Sequence, residues 1–391
     1  MSQTNATRAS RTRRRTWTIR IAAALLFLTP PFVVPRLWCG RGADAFYDGQ
    51  LDAVRPLAEG VATWVSDGIG QSDFDTGNSC FDGEWHFGTY QMAALGLLQV
   101  IAAHPETRER YLPLVEKCVD RLLEPEIRAF DTSAWGNDAM STLDSGQGHC
   151  AYLGYLNIVL CAYRKVSGQS KYDDPNDRIT AALVRRLGQA PQGIIETYPD
   201  EAYPVDNCAA IASIAFYDRV TGADHSELVG QLVRQLGEAH TDPQSGLLYQ
   251  AVDHLTGEKY DKPRASGTAL GAYFMSFGDM DLSRRMYAAL RRSCAARLAG
   301  FAAIREYPPG TKSGQGDIDS GPVVLGLSFS GTGFTLATAR INKDRELYKG
   351  LYRLGCLVGA PINRARRRTF VCGGPLGNSI MLAMLTAGGI P

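Results

Sequence analysis

The chain has 391 residues, and its 41 Lys and Arg nearly balance 40 Asp and Glu, so a net charge of +1 excludes a general electrostatic affinity for nucleic acid. With 45% hydrophobic and 21% charged residues it is globular, long enough for one large domain or two smaller ones. Its nine cysteines form no CxxC pair and its six histidines no HxH or HExxH spacing, so no metal site is expected. Walker, GxGxxG and GxSxG patterns are missing in the contexts that would give them meaning, so no cofactor is expected either.

From the N-terminus, Arg8, Arg11, Arg13, Arg14, Arg15 and Arg20 precede the apolar stretch Ile21–Val34. About fourteen apolar residues behind a basic block fit a signal-peptide core better than a membrane span. Ala43-Asp44-Ala45 offers a small-x-small cleavage pattern. Residues 1–45 are therefore read as a basic leader with a signal peptide or anchor, and 46–391 as one catalytic domain. The expected location is exported (periplasmic or extracellular) or membrane-anchored, with membrane association through the N-terminal segment. A second arginine cluster, Arg364, Arg366, Arg367 and Arg368, lies near the C-terminus.

Beyond the leader the spacing predicts helices over Leu51–Val65, Tyr90–Ala103, Arg110–Leu123, Ala151–Val166, Asp177–Leu187 and Asn207–Val220. The pattern continues through His225–Ala239, Gly267–Phe277, Asp281–Leu298, Gly321–Ala339, Lys343–Val358 and Asn378–Thr386. Nearly all-apolar helices alternate with amphipathic ones, which suits an inner ring of buried helices inside an outer, half-exposed ring. About twelve such helices predict an all-α fold, an (α/α)6 barrel or toroid. A strand pair is expected only near Gly246–Ala251, before the turn-like His254–Gly257.

The stretch Gly193–Arg219 stands out, because a loop dense in carboxylates feeds an apolar helix. Glu196, Asp200, Glu201 and Asp206 are its acids, and two carboxylates in different surroundings can divide into a protonated acid and an ionised base. The bland alternative is that Asp206 or Asn207 caps the helix. Asp317 and Asp319, two positions apart before another small-residue helix, repeat the arrangement. Ser79–Gly88 reads as a substrate-contact loop holding Glu84, Trp85 and His86, with Asp75 ahead of it; packing is the rival reading. Trp135, Asp138 and His149 precede the next inner helix, and His149 is a candidate proton carrier by type.

The order Gly154-Tyr155-Leu156-Asn157, Val166-Ser167-Gly168, Gly193-Ile194-Ile195, Tyr203-x-Val205, Tyr217-Asp218-Arg219 and Asp242-Pro243 is similar to the linalool dehydratase/isomerase family. The resemblance implies an (α/α)6 barrel with an active site at one end. It also implies an exported enzyme that uses acid/base chemistry, without a cofactor, on a small terpenoid alcohol. Tyr155 stands where that family has a histidine. The family's two active-site cysteines fall on Glu196 and Asn207, with Cys208 one position on, and its early aspartate is matched by Asp73 or Asp75. Fold carries over; substrate does not.

The leading expectation is thus cofactor-free dehydration or isomerisation of a small alcohol or alkene. Glu196, Asp206, Tyr155, Asp317, Asp319 and His149 are its catalytic candidates. Asp75, Glu84, Trp85, His86, Trp135, Asp138, Tyr203, Asn207 and Cys208 would contact the substrate. The runner-up is a glycoside hydrolase with paired carboxylates on the same barrel, and the third reading a non-catalytic lipid- or glycan-binding barrel. A small-molecule substrate is the expected partner, nucleic acid is not, and a homo-oligomer is left open.

Overall fold

The computed structural model describes residues 30–311, 316 and 321–390, with Trp17 and Arg20 ahead of them. Two short helices, α1 (Pro30–Cys39) and α2 (Ala43–Tyr47), lead into an alternating series. The outer helices are α3 (Leu51–Asp67), α5 (Arg108–Leu122), α8 (Asp173–Gln189), α10 (Ser226–Ala239), α12 (Met280–Ser293) and α14 (Arg345–Gly359). The inner helices are α4 (Ser79–Ala103), α7 (Cys150–Ser167), α9 (Pro204–Thr221), α11 (Ala265–Met275), α13 (Phe329–Ile341) and α15 (Gly374–Thr386), while short α6 (Ala129–Trp135) sits in the loop before α7. Each inner helix packs on the next, and α15 returns to pack on α4, so six inner helices close a ring inside six outer ones.

The sequence explains the two rings. Along α5 the buried positions Tyr111, Val115, Cys118, Val119 and Leu122 form one stripe, so that helix can bury only one side. In α9 nearly every position from Pro204 to Ile214 is buried, as an all-round apolar helix must be. Small residues let the inner helices approach closely: a Cβ on Gly154 would lie 2.8 Å from the Ala210 backbone nitrogen. Closure is sealed by a buried polar contact, Gln99 Nε2 donating to Ala383 O at 2.9 Å and Thr386 Oγ1 at 3.2 Å. Such bonds add about 1 kcal/mol each and fix the register between first and last inner helices.

Four expectations need correction. Ser79–Gly88 is not a loop but the first turns of α4, started by Asn78 Oδ1 accepting from Cys80 N at 2.9 Å. The helix expected over Asp281–Leu298 stops at Ser293, and β1 (Ala295–Leu298) pairs antiparallel with β2 (Phe301–Arg305). Ala299 and Gly300 have φ of 51° and 84°, the left-handed pair that a tight hairpin turn needs. The helix expected from Gly321 starts only at Phe329, behind β3 (Val323–Val324) and β4 (Leu327–Ser328). A second hairpin, β5 (Pro361–Arg364) with β6 (Arg367–Phe370), precedes α15. Near Gly246–Ala251 the chain makes isolated bridges, such as Thr241 with Leu248, rather than a strand pair.

All nine cysteines are free thiols. Most of the leader lies outside the described residues, and no helix among those described is long and apolar enough to cross a membrane. Its last part is packed. Ala43 is fully buried, and Asp44 pairs with Arg345 at 2.7 Å and Lys349 at 2.9 Å. A chain beginning at residue 46 should therefore unfold at lower temperature than one beginning at residue 30. The loss expected from the buried Cys39 and Ala43 contacts is about 2 kcal/mol, read by thermal denaturation.

Candidate active site

The N-terminal turns of the inner helices surround a cavity of about 560 Å³, within the roughly 300–1,000 Å³ usual for small-molecule sites. Its walls are mostly aromatic and aliphatic, including Trp85, Phe87, Phe130, Phe274, Phe334 and Leu376. Polar groups are concentrated where α4, α7, α9 and the loop ahead of α9 meet: Glu84, Tyr155, Thr197, Tyr198 and Asp206 all line the cavity.

Asp206 is the centre of this patch. It sits in the first turn of α9 but does not cap it: Tyr203 holds the cap position and Pro204 opens the helix, its missing N–H costing nothing there. Instead its Oδ1 accepts a short hydrogen bond from the Tyr155 hydroxyl, and its Oδ2 accepts from Thr197 Oγ1 at 2.6 Å. With only 7% of the residue exposed, burial raises the Asp206 pKa, while the Thr197 and Tyr155 hydroxyls oppose that rise. Tyr155 is pushed well above its ordinary value by burial first and then by the Asp206 charge, so it remains a hydroxyl and donates. Tyr198 donates to Glu84 Oε2 at 3.1 Å, and its own pKa rises from burial and from the Glu84 and Asp206 charges. The two carboxylates therefore share one field across two tyrosines.

The loop that carries Thr197 and Tyr198 is built tightly. Tyr198 and Glu201 pair across a turn in which Asp200 takes φ 66°. Glu196 serves that turn, its Oε1 accepting from Asp200 N at 2.8 Å, and it lies beside His254 rather than among the cavity-lining residues. Behind it Gly148 is required by contact alone, because a Cβ there would fall 2.1 Å from Glu196 O. Asn207 clamps the loop to α9: its Oδ1 accepts from Ile195 N at 2.8 Å, and its Nδ2 donates to Ile195 O and Tyr203 O, both at 3.0 Å.

Of the residues singled out in the sequence, Tyr155, Asp206, Glu84, Trp85, Glu201 and Tyr203 come together around the cavity. Glu196, His149, Asp75, His86, Trp135, Asp138, Asn207 and Cys208 do not line it, and Asp317 and Asp319 lie outside the described residues. Each has a visible reason. His149 is fully buried and bonded through Nδ1 to Asp131 at 2.6 Å, with the Trp135 ring tilted against it, centroids 4.6 Å apart. Trp135 in turn donates from Nε1 to Thr197 O at 3.0 Å, so this cluster braces the loop of Thr197 and Tyr198 from behind. Asp138 pairs with Arg128, Cys208 is packed inside α9 against α11, and Asp75 is exposed.

His86 is held by Ile69 O at 2.7 Å, and burial lowers its pKa, so it stays neutral. Replacing it with alanine should cost about 2 kcal/mol of stability from the lost buried contact, measured by denaturant unfolding, and leave turnover by the folded protein intact.

Gln91, Gln250, Ser266 and Thr197 also line the cavity, and the last three carry no pattern that marks them in the sequence. Gln91 is the one with a readable signal, a lone amide in the apolar run of α4. It is 1% exposed, and its Nε2 has no hydrogen-bond partner among the described residues. Ser266 donates to Oε1 of the fully buried Glu306 at 2.5 Å.

A closed double ring of helices, with its cavity at the N-terminal ends of the inner six, defines the (α/α)6-barrel class of folds. Solved structures agree. The α-1,6-mannanase GH76A of Salegentibacter sp. HEL1_6 superposes with a TM-score of 0.53 at 14% identity, over 85% of this chain and 98% of that one. The family 105 glycoside hydrolase of C. acetobutylicum ATCC 824 gives 0.56 at 12% identity, again over 85% and 98%. At such identities the likeness is one of fold. Within that class, residues 153–340 match the family model described as linalool dehydratase/isomerase, a span that includes Tyr155, Thr197, Tyr198 and Asp206. The family resemblance and the barrel expected from the sequence are both borne out.

Proposed function

We propose that this protein is a cofactor-free acid/base enzyme that dehydrates or isomerises a small, largely apolar alcohol or alkene. The observation that carries the reading is a buried carboxyl, Asp206, whose proton affinity is raised at the polar end of an otherwise apolar cavity. In the forward step Asp206 gives its proton to the substrate hydroxyl, which leaves as water. Glu84, steadied by Tyr198, takes a proton from the adjacent carbon, and those electrons form the alkene. Water then returns the two carboxyls to their starting states. Tyr155 and Thr197 position Asp206, and Gln91 offers a donor to a substrate oxygen.

A glycoside hydrolase is the second reading, favoured by three carboxylates, Glu84, Glu201 and Asp206, in one cavity and by the fold of the mannanase. Two features weigh against it. The walls are apolar, and the adjacent pair of aspartates replaced in an inactive variant of that mannanase has a sequence parallel here only at Asp173-Asp174, on an outer helix. The test is a screen of the purified protein against terpenoid alcohols and aryl glycosides. Alkene formation from an alcohol supports the proposal. Sugar release without alcohol turnover replaces it with the hydrolase.

A further inference from the structure

Helix α1 presents its apolar side to solvent. Val33, Val34, Leu37 and Trp38 fall one turn apart in pairs and are all exposed, the last two by 65% and 66%. A surface helix ordinarily turns such a stripe inward. Here the opposite side, ending in buried Cys39, lies along α14. The same face continues onto neighbouring elements. Arg353 of α14 donates to Gly300 O at 2.7 Å, and a Cβ on Gly300 would lie 2.6 Å from Arg36 Nε, so the β1–β2 turn meets both helices there. That turn exposes Leu298 by 78%, and Leu357, one turn on from Arg353, is half exposed.

The β5–β6 hairpin adds charge. Its base is tied to α14 by Arg368 Nη2 donating to Tyr352 OH at 3.0 Å, and it presents Ile362 to solvent. Arg364, Arg366 and Arg367 at its end are exposed and form no ion pair among the described residues. Through the short turn Val371–Gly373 the hairpin leads into α15, whose Leu376 lines the cavity. Upstream, the apolar stretch Ile21–Val34 and its arginines run straight into α1.

We propose that the face formed by α1, the β1–β2 turn and the β5–β6 hairpin docks on an anionic phospholipid surface. The exposed apolar side chains enter the interface, and the three hairpin arginines meet lipid phosphates. A second copy of the chain is the less suited occupant, because a two-fold contact would set the cationic hairpin against itself.

The test is co-sedimentation of the full-length protein with vesicles of phosphatidylcholine alone or mixed with phosphatidylglycerol. Wild type is expected to bind the mixed vesicles and to be released by salt. The triple variant R364S/R366S/R367S should bind them about 100-fold more weakly, each arginine contributing roughly a fivefold factor. The double variant Leu37→Ser, Trp38→Ser should bind both vesicle types more weakly. Both sets are exposed, so an unchanged melting temperature accompanies the expected result. Equal binding by wild type and the triple variant would assign membrane contact to the leader alone and overturn the proposal. Failure of wild type to bind, or vesicle-free self-association lost in the same variants, would overturn it too.

Discussion

Asp206→Asn is expected to lower turnover by about 100- to 10,000-fold, the range for loss of a positioned general acid, without loosening the fold. Asparagine keeps the shape and can accept from one of the Tyr155 and Thr197 hydroxyls while donating to the other. The stability effect has a definite sign. Burial raises the Asp206 pKa above its unfolded value, so the folded state holds an extra proton in the interval between them. Stability from this group is fully present below the unfolded pKa and is lost as pH rises through the folded one. Above that interval the aspartate is a buried charge that asparagine removes. At pH above that interval the variant should therefore melt at the same temperature or higher, and below it the wild type regains the advantage. Turnover with product analysis and thermal melts on both sides of the interval check this. Retained activity would remove Asp206 from the chemistry, and a lower melting temperature above that interval would assign it a structural role instead.

Asn207→Ala should cost roughly 3–5 kcal/mol, lowering the melting temperature by about 5–10 °C. The change removes no catalytic group. It leaves the N–H and C=O of Ile195, in a segment that is buried, without partners. Because that segment runs into Thr197 and Tyr198, turnover should fall with it. A natural control exists on the opposite side of the ring. Pro375-x-x-Asn378 opens α15 as Pro204-x-x-Asn207 opens α9, and Asn378 makes the same three bonds, with Phe370 N at 2.8 Å, Phe370 O at 3.0 Å and Gly374 O at 2.6 Å. Asn378→Ala should lose similar stability but leave turnover by the folded fraction far less affected, since its loop brings no acid to the cavity. An unchanged melting temperature for Asn207→Ala would sink the clamp.

The architecture was legible because its rule is local. A stripe such as Tyr111, Val115 and Leu122 can bury one side only, and a run such as Ala209–Ile214 has no side to expose, so the alternation of the two announces a double ring. Asp206 and Glu84 were legible as acids standing next to apolar runs, although both lie in the first turns of those helices rather than in the loops expected ahead of them. Turn chemistry was less visible. Ala299-Gly300 ended an expected helix because pairing with β2 repays a left-handed backbone that no helical periodicity reveals.

Residue type by itself determined the inventory of this protein: an apolar twelve-helix core, a few acids at the helix starts, and a basic, apolar leader. Tertiary structure alone decided which acids meet. Glu196 and Asp206 belong to one loop and look equivalent in sequence, yet one closes a turn at Asp200 and the other receives Tyr155 from a helix about fifty positions earlier. His149 looked like a proton carrier until Asp131 and Trp135 were seen to enclose it. The reason is physical. Secondary structure follows from spacing of a few residues, whereas burial, proton affinity and hydrogen-bond partnership depend on neighbours that only the closed ring brings within reach.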